Sequence, residues 1–328
     1  MGEPAGIGGE ITLAAWHRRA QENLPPFLIL DDPDRLRKLA STLELDVAVE
    51  EISAPEFAND VFPRALPVIP LKLPHVVSLG APDPANADTV IIAIRMATEF
   101  ALAGRAAGVV TNPIHKETLL RAGFEHPGHT EYLSTLTGGS AVMMLASPLL
   151  RVVPVTVHRA LREVPDLLTV DLIASHGRTV AEALVIDFGI NAPRLAVAAL
   201  NPHAGEGGTF GNEDDEIIAP AVRALAGEGI NATGPHPADS LFRAGARENY
   251  DAVLCMYHDQ ALIPLKALDF DRGVNVTLGL PIVRTSPDHG TALDLAGTGK
   301  ANPTGLVSAL TMAATIARNR ATHRNQSE

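Results

Sequence analysis

Three short apolar runs in this sequence are each followed, within three residues, by a histidine. The runs end near residues 157, 200 and 257, and the histidines are His158, His203 and His258. Each run has the composition of a buried strand, and ligands of open α/β sheets bind beyond the carboxyl ends of the strands. We therefore expect the three imidazoles to converge on a divalent metal that keeps open positions for a substrate. The alternative is three isolated loop histidines that only form hydrogen bonds.

Two cations, Lys266 and Arg284, are candidates for binding an anion. Each follows an apolar tripeptide, IPL before the lysine and PIV before the arginine. An unpaired cation in apolar surroundings is costly, and a bound phosphate or carboxylate would remove that cost. His129 and Thr130, in a polar turn, are further candidates for the same site. The alternative for each cation is a solvated surface position.

Two aspartates are candidates for acid/base chemistry or for supporting a metal ligand. Asp239 lies in the segment PADSLF, and Asp259 is adjacent to His258. Either aspartate could equally cap the amino end of a helix.

Alternating strands and helices must position these residues. Apolar runs predict strands at residues 27–30, 47–52, 108–110, 141–146, 151–157, 195–200 and 252–256. One predicted helix runs from Asp88, as its N-cap, to Gly104. Another covers residues 167–184, and the last begins at Asn302. The polar tail after Arg318 is expected to fray. The alternation predicts an α/β protein with a largely parallel sheet.

A glycine-rich loop leads into the first predicted helix. Residues 2–10, GEPAGIGGE, do not fit the G-x-G-x-x-G dinucleotide fingerprint, and no strand precedes them in this chain. Such a loop can present amide groups to an anion, but we interpret it as a structural turn. We also expect a short first strand ahead of this loop.

The composition is that of a folded protein. Its 328 residues are enough for two lobes. A formal net charge of -12 argues against nucleic acid or an anionic membrane surface as a partner. No apolar run approaches the roughly 18 residues of a membrane span, and a signal peptide pattern is absent. The single cysteine, Cys255, lies in an apolar run, which indicates an inert buried thiol and a reducing cytoplasm.

Several long motifs resemble the 4-hydroxythreonine-4-phosphate dehydrogenase family of pyridoxal 5'-phosphate biosynthesis. They are PGHTE at 127–131, NPHAGEGG at 201–208, PAD at 237–239, MYHDQ at 256–260, GVN at 273–275 and RTSPDHGTA at 284–292. The resemblance runs over nearly the whole chain. It implies a two-lobed α/β/α fold of the isocitrate/isopropylmalate dehydrogenase type, which is not a Rossmann fold. It also implies a homodimer whose subunits share the active site.

The same resemblance implies how the chain divides and what each site residue does. Residues 1–125 and 283–328 would form a lobe with the NAD-binding loop, and residues 126–282 a lobe with the metal site and dimer contacts. The metal ligands would be His158, His203 and His258, one of them from the partner subunit. The substrate ligands would be His129, Thr130, Lys266, Asn275 and Arg284. The cofactor-binding residues would be His289, Gly290, Thr291, Ala292 and Asn302. The candidates for the catalytic base are Lys266, Asp239 and Asp259.

The family reaction oxidises the C3 hydroxyl of 4-phosphooxy-L-threonine with NAD. The resulting 2-amino-3-oxo acid then loses carbon dioxide and becomes 3-amino-2-oxopropyl phosphate. The choice between NAD and NADP, and between zinc, magnesium and cobalt, stays open. So does the substrate, because related enzymes act on D-threonate or D-erythronate phosphates or on the cis-dihydrodiol of terephthalate.

Two other classes of protein compete with a dehydrogenase. A metal-dependent hydrolase would also use three histidines and a carboxylate, but it would leave the segment 289–303 without a role. A non-catalytic anion-binding protein would need the cations and not three histidines at strand ends. Turnover that depends on NAD distinguishes the dehydrogenase from both.

Overall fold

The computed structural model describes residues 1–327 as a series of helices and strands. The strands are β1 (Ile29–Asp31), β2 (Val49–Glu51), β3 (Leu66–Pro70), β4 (Val109–Val110), β5 (Val142–Ala146), β6 (Arg151–Thr156), β7 (Arg194–Ala198), β8 (Asn231–His236), β9 (Ala252–Tyr257), β10 (Val274–Leu278) and β11 (Arg284–Pro287). The helices are α1 (Gly8–His17), α2 (Pro33–Thr42), α3 (Ala58–Val61), α4 (Ala87–Leu102), α5 (Lys116–Arg121), α6 (His129–Thr137), α7 (Val164–Leu167), α8 (Val170–Ile186), α9 (Ala219–Gly227), α10 (Ala238–Leu241), α11 (Ala244–Arg247), α12 (His258–Asp269) and α13 (Thr304–Ser327). Shorter helical turns lie at Pro55–Phe57, Pro84–Asn86, Leu161–Glu163, Pro202–Glu206 and Asp214–Ile218. The predicted mixture of helices and strands is confirmed, and within these residues no helix has the length and apolarity needed to cross a membrane.

Contacts divide the chain into two compact units, which are described separately. The first unit comprises Met1–Ala141 and Leu280–Ala317. The second comprises Val142–Gly279 and the residues from Arg318 onward.

The units differ from the predicted lobes at three places, of which the smallest is the stretch 280–282 that joins the first unit. Residues 126–141 belong to the first unit, since Leu133 of α6 is buried in one cluster with Ile94 of α4. The end of α13 belongs to the second unit, where Arg320 forms an ion pair with Asp187. At residues 126–141 and at the end of α13, the packing of individual side chains decides the unit, and the composition of the sequence does not show this packing.

The first unit contains parallel strands in two places. Strand β3 lies between β1 and β2, and its register pairs Val68 with Ile29. Strand β4 pairs with β11, so that Arg284 lies opposite Val109. This register brings the arginine next to the polar residues that follow β4.

The second unit contains strands in the order β10, β5, β6, β9, β7 and β8. Strand β5 is antiparallel to both β10 and β6, and the other pairs are parallel. Strand β9 lies between β6 and β7, which explains why its run of residues 252–256 is apolar and fully buried. Strands β6, β7 and β9 end at one edge, so the three predicted histidines do follow parallel strand ends.

Two local predictions are wrong. Asp88 does not cap α4, because a helical turn precedes that helix and Asp83 caps the turn by accepting from the amide of Ala85 at 2.9 Å. The residues after Arg318 do not fray, because α13 continues to Ser327. Arg320 of α13 forms an ion pair with Asp187, and no motif in the sequence marks this aspartate.

Asp187→Asn should lower the free energy of unfolding by about 3 kcal/mol, since it removes the buried negative charge of the pair with Arg320. In the native protein Nε and Nη2 of Arg320 donate to the two Asp187 oxygens at 2.6 and 3.0 Å. Urea unfolding measures the change. The control is Glu228→Gln, which breaks an equally well-formed but solvent-exposed pair with Arg178 and should leave the stability nearly unchanged. Equal effects would contradict a structural role for the buried pair.

Candidate active site

Two imidazoles meet at the edge of the second unit's sheet. Strands β6 and β9 run parallel in register, with Thr156 opposite Tyr257. His158 follows the first strand and His258 begins α12 after the second, which places their ring centroids 5.9 Å apart. The parallel pairing of two strands therefore brings together two of the predicted metal ligands.

Asp259 orients one of these imidazoles. Its Oδ1 lies 2.7 Å from Nδ1 of His258. A carboxylate on Nδ1 favours the tautomer whose Nε2 lone pair points away, which is the usual arrangement of a metal-binding histidine. The alternative prediction that Asp259 caps α12 is wrong, because no side chain caps this helix at Tyr257, its N-cap residue.

His203 lies in a tight left-handed turn after β7. Its φ is 53°, that of the neighbouring Ala204 is 54°, and its ring packs 6.2 Å from the ring of Phe210. His158 is also left-handed, with a φ of 50°. For residues other than glycine this conformation costs about 1–2 kcal/mol, and such strain is concentrated at functional sites.

The arrangement of the three histidines fits a metal site only in part. Among the residues that the structure describes, no group of three or more His, Cys, Asp or Glu side chains could hold a metal ion. One copy of the chain thus brings His158 and His258 together and does not add His203 to them. Two adjacent imidazoles suit a divalent ion, but further ligands must come from outside this set.

Three other predicted residues of the second unit differ in their surroundings. Asp239 is exposed in the first turn of α10, and it does not cap that helix, whose N-cap residue is Pro237. Lys266 is half-buried on α12, with its Nζ 5.8 Å from the ring centroid of Phe270. Asn275 lies on β10, and its buried Oδ1 has no hydrogen-bond partner among the described residues. That oxygen is available to a ligand.

In the first unit, Arg284 is a buried cation. Only 4% of this residue is exposed, and its Nη2 donates to Oγ1 of Thr111 at 2.9 Å. Burial lowers the pKa of the guanidinium to about 10, and the nearby charge of Glu131 acts in the opposite direction. A buried guanidinium carries several N–H donors in a fixed fork, which suits it to bind an anion.

His129 begins α6 near this arginine. Its Nε2 is buried and has no hydrogen-bond partner among the described residues. Burial lowers the pKa of the imidazole well below its ordinary value, and the positive charges of Arg284, the Met1 amine and Lys116 lower it further. The imidazole is therefore neutral at pH 7. No side chain caps α6, and uncapped amides at the start of a helix can donate to an anion.

The predicted cofactor segment is a structured loop of the first unit. His289 Nδ1 lies 3.0 Å from the carbonyl of Gly290, and its buried Nε2 lacks a partner among the described residues. Ala292 has a φ of 41°. Asn302 is a helix cap in this structure, because its Oδ1 accepts from both the amide and the hydroxyl of Thr304.

The glycine-rich loop supports this segment, as expected of a structural turn. The amide of Ile7 donates to the carbonyl of Thr291 at 3.0 Å. A Cβ on Gly6 would lie 2.9 Å from the same carbonyl oxygen, so no larger residue fits. Glu10, buried on α1, accepts from the amides of Gly297 and Ala301 at 2.9 and 3.1 Å.

Sequence reasoning missed several residues that build these sites. Asn112, directly after β4, donates to Thr12 at 2.9 Å, while its buried Oδ1 has no partner among the described residues. The position of this asparagine and of Thr111 at a strand end was the signal that could have identified them. No such signal in the sequence marks Glu10 or Asp214. The partners of these two carboxylates are backbone amides or lie on distant parts of the chain.

Comparisons with known proteins agree on one family. The sequence profile described as "Pyridoxal phosphate biosynthetic protein PdxA" matches residues 22–313. The 4-hydroxythreonine-4-phosphate dehydrogenase of Erythrobacter litoralis (strain HTCC2594) is 55% identical over 98% of this chain and 96% of its own length. The enzyme of that name from Methylorubrum populi is 53% identical over 97% of this chain and 93% of its own.

Two solved structures have folds similar to the fold of this chain. The crystal structure of 4-hydroxythreonine-4-phosphate dehydrogenase from Klebsiella pneumoniae has a TM-score of 0.87 and 38% identity, and covers 97% of this chain and 96% of that one. A terephthalate 1,2-cis-dihydrodiol dehydrogenase from Burkholderia xenovorans LB400 has a TM-score of 0.65 and 26% identity, with 96% of each chain covered.

His129→Gln should reduce the loss of stability on acidification. The folded protein holds the pKa of this histidine below the ordinary value of 6.5. As the pH falls below about 6.5, the unfolded chain therefore binds a proton that the folded protein excludes, and the free energy of unfolding decreases. Glutamine does not titrate and lacks this contribution. Melting temperatures between pH 7.5 and 5.0 should fall less for the variant, and parallel curves would contradict a buried neutral imidazole.

Proposed function

The chain belongs to the family of the pyridoxal phosphate biosynthetic protein PdxA, and on this premise we propose that it is a 4-hydroxythreonine-4-phosphate dehydrogenase. Carbon C3 of 4-phosphooxy-L-threonine transfers a hydride to NAD, and the hydroxyl group on C3 loses its proton to a base. The 2-amino-3-oxo acid that results releases its carboxylate as carbon dioxide. Protonation at C2 then gives 3-amino-2-oxopropyl phosphate, so that NADH, carbon dioxide and the aminoketone phosphate are the products.

The observation that carries the proposal is the buried Arg284 beside neutral His129 at the amino end of α6. A phosphate dianion would accept hydrogen bonds from the guanidinium, from an imidazole N–H and from the first amides of the helix. Desolvation makes each of these donors more effective than it would be in water. By resemblance, Thr130, Lys266 and Asn275 complete the substrate ligands, and the unpartnered Oδ1 of Asn275 suits the substrate ammonium group.

Proton transfer is the step in which the chain's own residues act. We propose that Lys266 takes the proton from the C3 hydroxyl. Asp239 and Asp259 are the alternatives, but Asp259 is already engaged with His258. A bound divalent metal supplies Lewis acidity, which lowers the pKa of an alcohol and stabilises negative charge that develops on oxygen.

For that metal, we propose His158 and His258 from one copy of the chain and His203 from a second copy. The proximity of two imidazoles supports this division, as does the lack of any three-residue group within residues 1–327. Such sharing makes the homodimer the catalytic unit. Zinc, magnesium and cobalt are the candidate ions.

The segment 289–292 and Asn302 would bind the adenosine part of NAD or NADP. The unpartnered Nε2 of His289 supports a ligand here, and Glu10 keeps the neighbouring loop in place. We assign the fold to the isocitrate/isopropylmalate dehydrogenase type, without a Rossmann nucleotide fold. Burial raises the pKa of the lone Cys255 thiol, and an inert thiol is consistent with work in the reducing cytoplasm.

A second candidate function is the same oxidation on another substrate. The structural similarity to a dihydrodiol dehydrogenase favours this alternative over a hydrolase, because that protein and the proposed enzyme are both dehydrogenases that transfer a hydride. Phosphorylated sugar acids such as D-threonate or D-erythronate 4-phosphate retain the anionic group that Arg284 would bind. A dihydrodiol of terephthalate offers carboxylates instead.

The decisive assay is NADH formation from 4-phosphooxy-L-threonine by protein that is stripped with a chelator and then given zinc, magnesium or cobalt. We expect turnover only after metal is restored, with one carbon dioxide released per NADH. Unphosphorylated 4-hydroxy-L-threonine and D-erythronate 4-phosphate are the controls for specificity. Conversion of the substrate in the absence of NAD would indicate a hydrolase. If folded, metal-loaded protein acts only on another substrate, that substrate replaces 4-phosphooxy-L-threonine in the proposal.

Arg284→Ala should raise the KM for the phosphorylated substrate about 10- to 100-fold and change the KM for NAD little, because a charge-assisted hydrogen bond contributes about 1.5–3 kcal/mol. Steady-state kinetics with each substrate varied in turn measure both constants. Arg178→Ala, which removes an exposed arginine, is the control. Equal increases in both constants would argue against a role for Arg284 in binding the substrate anion.

A further inference from the structure

The ammonium group of Lys116 lies at the amino end of α6. Lys116 begins α5, in the segment that follows Thr111, the residue that accepts from Arg284. A Cβ placed on Gly128, the N-cap residue of α6, would be 3.4 Å from Cε of Lys116 and 3.6 Å from its Nζ. The charge of Lys116 also contributes to the lowered pKa of His129, the first residue of that helix. The lysine is therefore close to the group that Arg284 and His129 form.

The amino end of α6 is an unfavourable place for a cation. A helix carries a partial positive charge at this end, and the buried guanidinium of Arg284 adds a full charge nearby. Among residues 1–327, Lys116 has no hydrogen-bond or ion-pair partner for its ammonium group, since the adjacent Glu117 pairs with Arg121. Like charges that lie together cost free energy, and a bound anion removes that cost.

Glu131 acts on both cations. It lies in the first turn of α6, where the helix dipole favours a carboxylate. Its Oε2 would be 3.5 Å from the same Cβ on Gly128, and its charge raises the pKa of Arg284. It nevertheless forms no ion pair with Lys116. An ammonium group and a carboxylate therefore flank one point at the start of the helix without direct contact.

The alternative for Lys116 is a solvated surface position, because its side chain is exposed. Exposed lysines of that kind lie beside carboxylates, as Lys72 does with Asp32 at 3.9 Å. Lys116 instead lies at the positive end of a helix, next to a buried arginine. A lysine has a flexible four-carbon stem, so its ammonium group can move to meet an anion that the buried guanidinium holds.

We propose that Lys116 binds the substrate phosphate together with Arg284 and His129, and that Glu131 limits the affinity of this site for anions. This role rests on the proposed function, because the phosphate is that of the proposed substrate. Arg284 is the buried contact of the anion, and Lys116 is the contact on the solvent side. A phosphate dianion gains more from an added cation than a single carboxylate does, so Lys116 favours phosphorylated substrates over carboxylates.

Binding of inorganic phosphate to the protein tests this role without turnover. Lys116→Met should weaken phosphate binding about 5- to 10-fold, because it removes a charge-assisted hydrogen bond. Lys116→Arg, which keeps the charge, should restore most of the affinity. Lys38→Met, which removes an exposed lysine of α2, is the matched control and should bind like the native protein. Titration calorimetry at constant ionic strength measures each affinity.

Glu131→Gln should have the opposite effect. It removes a carboxylate that repels the anion and should strengthen phosphate binding about 2- to 5-fold. Unchanged or weaker binding by this variant would overturn the role of Glu131.

The melting temperature in phosphate-free buffer separates binding from a structural role of Lys116. Lys116→Met should melt at the same temperature as the native protein or higher, since it removes a cation from the positive end of α6. A lower melting temperature would assign Lys116 to the fold and overturn its binding role. In the dehydrogenase assay, the same variant should raise the KM for the phosphorylated substrate and leave kcat nearly unchanged.

Arg284→Ala distinguishes failure of this role from failure of the proposed function. If Arg284→Ala loses phosphate binding and Lys116→Met binds like the native protein, the role of Lys116 is overturned and the proposed anion site remains. If Arg284→Ala binds phosphate like the native protein, or if the native protein binds none, the anion site of the proposed function fails together with Lys116.

Discussion

Buried carboxylates that accept hydrogen bonds from backbone amides hold the loops of both units. Glu10 binds the amides of Gly297 and Ala301, and Asp214 binds two successive amides after β7. A buried carboxylate is costly unless its oxygens are hydrogen-bonded, and a buried loop amide is costly unless it has an acceptor. Each acid and its loop therefore stabilise each other. The candidate cofactor segment and the turn that contains His203 both depend on this constraint.

Burial acts in the opposite sense on the cationic groups of the first unit. Arg284 and His129 are removed from water, and burial lowers the pKa of each, while nearby positive charges lower the pKa of His129 further. Glu131 and Thr111 offset part of this cost. A bound phosphate would offset it further. The site is thus electrostatically prepared for an anion, even though the chain as a whole carries a net charge of -12.

The histidines of the second unit show how far strand pairing alone can organise a candidate metal site. Parallel pairing of β6 with β9 brings two imidazoles within 5.9 Å of each other. His203 lies in a separate turn after β7, and Asp214 accepts from the amides of Leu200 and Asn201, which lead into that turn. If two copies of the chain complete the metal site, as we propose, activity is linked to dimerisation.

The sequence by itself determined the mixture of helices and strands, the strands that end at His158, His203 and His258, and the family. These features follow from local apolar patterns and from long contiguous motifs. Only the tertiary structure decided that Arg284 and His129 lie near each other, that Glu10 and Asp214 hold distant loops, and that the tail after Arg318 is anchored at Asp187. The reason is physical: such contacts join residues far apart in the chain, and their energy comes from desolvation and hydrogen bonding that exist only once the chain has folded.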